Sequence, residues 1–238
     1  MSRRQRWTPV RGTGNRIYDP AERLALGALD LPGRAARALW RTVRPKAAPV
    51  PLQASAVREV LVLRLDRIGD VLMSLPALQD LREALPAARI RLAVGRWSEA
   101  IAQSAPVDEL LVWSAPWVGR AAEGASGSAA LLRRAWRLRA DRIDLGLDLQ
   151  GDVRASVLLA LAGARRRAGY ANTGGAWLLT DVIPLDETVS WVEQNRRAVA
   201  QVTGRAPGAD APDALTAADR EFAGRLFAQL GLEARRPL

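Results

Sequence analysis

The chain has 238 residues, 49% of them hydrophobic, enough for a substantial core and too apolar for a disordered chain. It contains no cysteine and no histidine, which excludes disulfides, thiolate or imidazole metal sites, and Ser-His or Cys-His nucleophile pairs. The net charge of +10 is concentrated: residues 1–56 hold eleven basic groups against Asp19, Glu22 and Asp30, whereas residues 57–238 carry a surplus of only two.

That asymmetry assigns the basic character to an N-terminal extension and disfavours nucleic acid as a partner, because a nucleic-acid domain carries its charge on the folded body. Residues 1–18 are Arg-rich. Gly12-Thr13-Gly14 has no strand before it and no helix directly after it, so it does not make a phosphate loop. Asp19-Pro20-Ala21-Glu22 reads as a helix start with a cap, a first-turn proline and a capping-box glutamate. Pro32-Gly33 is expected to break that helix. A second basic segment follows, with Leu39, Trp40 and Val43 among Arg34, Arg37, Arg41 and Arg44. Residues 20–44 thus suit either an anionic membrane surface or packing on the chain's own body. Pro45, Pro49 and Pro51 make the next stretch a semi-rigid linker. No apolar run approaches the roughly 18 residues of a membrane span, and no apolar segment follows the basic start as in a secretory signal. A cytoplasmic protein, peripheral at the inner face of the membrane, is expected.

The body alternates strands and helices. Val60–Leu65 is a short apolar run of the kind found in buried parallel strands. The loop Asp66-Arg67-Ile68-Gly69-Asp70 leads to a helical stretch with Leu75, Leu78, Leu81 and Leu85, and Pro76 near its start limits how regular the first turns can be. Residues 90–94 form a second strand, 95–104 a turn and short helix, and 110–113 a third strand. Ser128 opens a basic helix through Leu131, Leu132, Ala135, Trp136 and Leu138. Residues 145–149 are a fourth strand, 153–162 an apolar helix and 166–170 a short fifth strand. A less regular stretch follows Asn172-Thr173-Gly174-Gly175, then a helix over 190–202. Residues 204–212 read as a linker, and Thr216 to Asp219 as the cap of a last helix with Phe222, Leu226, Phe227 and Leu230. Such alternation predicts an α/β, Rossmann-like, mainly parallel sheet.

The chemistry concentrates at Leu63 to Leu78. Gly69 allows close approach of backbone to a ligand or neighbour, and Asp70 sits at the carboxyl end of the first strand, where open α/β sheets bind ligands. On spacing alone Asp70 is a helix N-cap and Arg67 a solvated loop residue. With no histidine, proton transfer near neutral pH falls to a carboxylate, a tyrosine or Lys46, the single lysine.

Gly69-Asp70 through Pro76-Ala77-Leu78 resembles the strand–loop–helix of glycosyltransferase family 9, the ADP-heptose:lipopolysaccharide heptosyltransferases. Asp144-Leu145-Gly146-Leu147-Asp148-Leu149-Gln150-Gly151 resembles a second strand end of that family, and Arg165 to Tyr170 a third. The resemblance implies the N-terminal, acceptor-binding half of an inverting GT-B glycosyltransferase of cell-surface glycan or lipopolysaccharide synthesis. It implies Asp70 as general base, substrate contacts at Arg67, Gly69, Gln150 and Gly151, and neither metal nor cofactor. The partners implied are a glycan or lipid-linked sugar acceptor and a nucleotide-sugar donor held by a missing or separate C-terminal domain. A non-catalytic glycan- or partner-binding module of the same fold is the alternative. The expected organisation is an extension at 1–56, an acceptor domain at 57–203, and a linker and helix at 204–238. Trp191 stands where that family often has a histidine.

Overall fold

A computed structural model describes residues 33, 35, 52–113, 115–118, 127–208 and 217–229. Its strands are β1 (Glu59–Arg64), β2 (Arg89–Val94), β3 (Glu109–Val112), β4 (Leu145–Asp148), β5 (Arg166–Gly169) and β6 (Asp181–Val182). Its α-helices are α1 (Ile68–Leu72), α2 (Leu75–Ala84), α3 (Glu99–Ala102), α4 (Ser128–Arg137), α5 (Val153–Leu161), α6 (Trp191–Thr203) and α7 (Ala217–Gln229). The strands form one sheet in the order β3-β2-β1-β4-β5-β6, and every pair is parallel. This is the expected Rossmann-like α/β architecture. All five expected strands form, with ends displaced by at most one residue. β6 is the exception: it is a two-residue edge strand inside the stretch read as irregular, too short to carry a periodic signal.

The side-chain period of two divides each strand between two layers. Val60 and Val62 of β1 join a core with Leu78, Leu81, Val199 and Val202, whereas Leu61 and Leu63 join a second core with Leu131, Ala135, Leu158 and Leu159. Helices α2 and α6 therefore cover one face, and α4 and α5 the other. Gly146 of β4 points to the second layer, and a Cβ there would stand 2.8 Å from Leu159 Cδ2, so the missing side chain is what lets α5 lie close. At the other end of the strands, the Asp144 carboxylate accepts the N–H groups of Arg58 and Glu59 at 2.9 and 3.2 Å, pinning the start of β4 to β1.

The helical stretch after Asp70 is irregular where Pro76 stands: α1 ends at Leu72 and α2 starts at Leu75. Pro76 has no N–H to give the Leu72 carbonyl, and the Ser74 hydroxyl instead donates to Val71 O at 2.7 Å. Gly33 and Ala35 are helical; the helix before them, which Pro32-Gly33 is expected to break, lies outside the described residues. A side chain at Gly33 would overlap the Trp177 indole, so glycine here permits close packing of a helix backbone on an aromatic ring. The remainder of the segment 20–44 proposed for lipid contact, most of the proline-rich linker and the cap at Thr216 lie outside the described residues. After α6, Gly204 adopts the left-handed C-cap conformation (φ 74°). The first residues of the expected linker lie against α2, with Gly208 N–H donating to Asp80 Oδ1 at 2.8 Å and Arg205 paired with Glu83 at 3.1 Å. Asp80 also holds Arg196 of α6 at 2.7 Å.

Candidate active site

Sequential crossovers run outward from β1 to β3 on one side and from β4 to β6 on the other, so the chain reverses its winding between β1 and β4. Such a switch point opens a crevice at the carboxyl ends of its two central strands. In the register that pairs Leu63 with Asp148, the loops 65–70 and 149–152 flank that crevice.

Arg64, the last residue of β1, joins the two loops. It is 2% exposed. Its Nε donates to the Asp70 carbonyl oxygen at 3.1 Å and lies 3.3 Å from Asp66 Oδ1. Nη2 is 3.8 Å from Asp70 Oδ1, and Nη1 donates to the Leu149 carbonyl. A buried guanidinium thus ties the loop after β1 to the end of β4, and it does so beside several carboxylates. Burial pushes the Asp66 carboxyl up to about 6, with Arg64 pulling it down and Asp70 adding to the rise. Burial likewise pushes Asp148 up to about 7. This happens even though Asp148 Oδ1 accepts the N–H groups of Gln150 and Gly151 at 2.9 and 3.0 Å; its Oδ2 has no hydrogen-bond partner.

Asp70 occupies the third position of α1, not the N-cap expected from spacing; Arg67 is the N-cap residue. The Asp70 carboxylate reaches back to accept the Arg67 N–H at 3.3 Å, which is the return half of a capping box. It remains 31% exposed, with its second oxygen toward Arg64. Arg67 and Gly69, with Ile68, Trp97 and Val118, line an open depression of about 320 Å³. Trp97 is held there by its indole N–H, which donates to the Asp66 carbonyl at 2.7 Å. A Cβ at Gly69 would meet nothing within 4 Å. No neighbour among the described residues requires glycine at this position, so the space it leaves adjoins the depression.

The structure therefore gathers Arg67, Gly69 and Asp70 at one mouth. Gln150 and Gly151 turn inward. Their amides serve the Asp148 carboxylate, and Gln150 Oε1 is buried without a partner. Gly151 has φ 77° and would bring a Cβ to 2.9 Å from both Tyr170 Cβ and Asn172 Nδ2, so it is glycine for backbone reasons. Asp152 caps α5 by accepting Arg154 N–H at 2.8 Å, and the Arg154 guanidinium stacks over Trp117 with its Cζ 4.8 Å from the ring centroid. Tyr170 is buried, its hydroxyl donating to the Gln194 carbonyl at 2.7 Å, and burial raises it above its ordinary range. Trp191 meets the Tyr170 ring edge-on at 6.0 Å between centroids.

Arg64, Asp66 and Asp148 lie within the segments that sequence reasoning singled out, but it gave none of them a role. A signal for two of them was present: Arg64 closes an otherwise apolar strand, and Asp148 sits between two leucines on a strand reading as buried. A charged residue in such a run must find a partner at the strand end.

No protein-family model matches the chain, and no curated protein matches it. Solved structures do. E. coli ADP-heptose LPS heptosyltransferase II superposes with a TM-score of 0.56 at 19% identity, over 75% of this chain and 52% of that one. A glycosyl transferase family 9 structure from Veillonella parvula gives 0.56 at 20% identity, over 79% and 52%. E. coli heptosyltransferase WaaC with ADP gives 0.54 at 22% identity, over 66% and 51%. The chain thus spans about half the length of each of these three structures. Over that half, it has the fold of these heptosyltransferase and family 9 glycosyltransferase structures.

Proposed function

We propose that this chain forms the acceptor-binding part of an inverting glycosyltransferase of lipopolysaccharide or cell-surface glycan synthesis, with Asp70 as general base. The observation that carries the reading is the placement of a partly exposed carboxylate, Asp70, at the switch-point crevice beside a depression bordered by Arg67 and Gly69. The Asp70 carboxylate takes the proton of an acceptor hydroxyl while that oxygen attacks the anomeric carbon of a nucleotide-sugar. The glycosidic bond forms as the nucleotide diphosphate leaves, inverting the anomeric centre. Arg64 holds the loop through the Asp70 carbonyl and keeps the carboxylate oriented. Arg67 and Gly69 border the acceptor, and the amides of Gln150 and Gly151 keep the opposite loop in shape. The donor sugar is contributed from outside the described body, since displacement needs both substrates held in line.

Asp70→Asn tests this. Asparagine keeps the size and can still accept the Arg67 N–H, so a purely capping carboxylate predicts a stability loss of about 1 kcal/mol or less. A base predicts a fall in turnover of about a hundredfold or more with melting unchanged. Turnover is measured on a lipid-linked sugar acceptor in the presence of a nucleotide-sugar and a donor-binding domain, in fusion or in trans. Turnover within a few-fold of wild type in the variant would make Asp70 a cap and remove the assignment. Transfer absent from the wild-type protein under all these conditions, with acceptor binding retained, would favour the binding-module alternative.

A further inference from the structure

The outward face of α4 holds a second feature, separate from the crevice. Leu131 and Ala135 turn into the core, and the adjacent solvent-facing flank of the helix presents Leu132 (41% exposed) and Trp136 (57% exposed). These positions are four residues apart and form one stripe. Arg133 and Arg137 flank the stripe, both exposed, and Arg139 lies over the Trp136 ring at 4.6 Å. Residues 128–142 contain five arginines and one acid, Asp141. That acid is occupied by Arg91 at 2.6 Å. The stretch thus carries a surplus of four positive charges, whereas all of residues 57–238 together carry two. Among the described residues, no acidic side chain pairs with Arg133, Arg137 or Arg142.

We infer that this face of α4 is a docking surface for an anionic lipid bilayer, with Leu132 and Trp136 entering the headgroup region and the arginines meeting lipid phosphates. An exposed Trp and Leu stripe within a basic helix face is the arrangement that binds in the plane of an interface, and each arginine adds attraction to an anionic leaflet. The basic extension at 1–56 is no candidate occupant, because its own charge surplus repels it from the patch. The surface is independent of the glycosyltransferase reading and stands or falls separately.

The test uses the full chain and vesicle co-sedimentation, with phosphatidylcholine alone and with about one-third phosphatidylglycerol, at about 0.1 M salt. Two double variants are compared with wild type: Leu132→Ser with Trp136→Ser, and Arg133→Glu with Arg137→Glu. All four positions are exposed, and circular dichroism checks that the fold persists. Wild type is expected to bind only the anionic vesicles. The charge variant should lose about 20-fold or more of that affinity, and the apolar variant should lose most of it. Wild-type failure to bind, or variants that bind like wild type, would overturn the inference. Binding lost by the charge variant but retained by the apolar one would overturn it too, since that pattern belongs to a purely electrostatic partner such as nucleic acid.

Discussion

Replacing Asp148 with asparagine should stabilise the protein considerably more at pH 8 than at pH 5. In the native structure burial holds this carboxyl at about 7 instead of the ordinary 3.8. Between those two values the folded state binds a proton that the unfolded chain has released, so the contribution of Asp148 to stability falls as pH rises through this window. Fully developed, the difference is about 4 kcal/mol against folding above pH 7, and roughly 1–2 kcal/mol of it is present at pH 5. Asparagine has no charge to desolvate. Its Oδ1 can keep the two N–H bonds from Gln150 and Gly151, and its amide nitrogen takes the place of Oδ2, which has no partner in either case. The stability difference between variant and wild type should therefore grow by about 3 kcal/mol from pH 5 to pH 8, equivalent to about 5–11 °C in Tm for a chain of this size. Urea denaturation and thermal melts at both pH values measure it. Taking the difference between the two proteins cancels the opposing acid-side behaviour of Asp108 and Asp186, whose carboxyls lie below their ordinary range. A difference that stays constant from pH 5 to pH 8, or a variant less stable than wild type at pH 8, would refute the reasoning.

Arg64→Met should cost about 3–5 kcal/mol at pH 7, because it strips the buried guanidinium from Asp66 and from the Leu149 and Asp70 carbonyls. The loss should be smaller at pH 5, where Asp66 and Asp148 are protonated; equal losses at both pH values, read by urea denaturation, would count against the cluster. Gly69→Ala should fold with unchanged Tm, since a Cβ there meets no protein atom within 4 Å, yet it should weaken acceptor binding or raise KM. A drop in Tm with KM intact would show that the glycine serves the fold.

How much of this was legible beforehand follows from which interactions are local. Short apolar runs punctuated by Gly and Asp specify five of the strands and their order along the chain, because a strand buried on both faces must be apolar at both alternating positions. The loop carrying Gly69 and Asp70 was legible because it is a neighbourhood of a few residues directly after the first strand. β6 escaped because two residues hold no period, whereas Pro76 marks the irregular start of α2 in the sequence itself. The cluster beneath the loop was out of reach. Arg64 and Leu149 are 85 residues apart and meet only because β4 inserts beside β1, and nothing in the local spacing states which strand becomes that neighbour. The raised carboxyls of Asp66 and Asp148 have the same origin. An aspartate's acidity is set by what surrounds it, and here the surroundings are built from strands and helices distant in sequence. The sequence by itself determined the strand–helix alternation and the polar loop that could hold a ligand. The tertiary structure decided which charges share that crevice, which of them are desolvated, and which face of α4 is left looking outward.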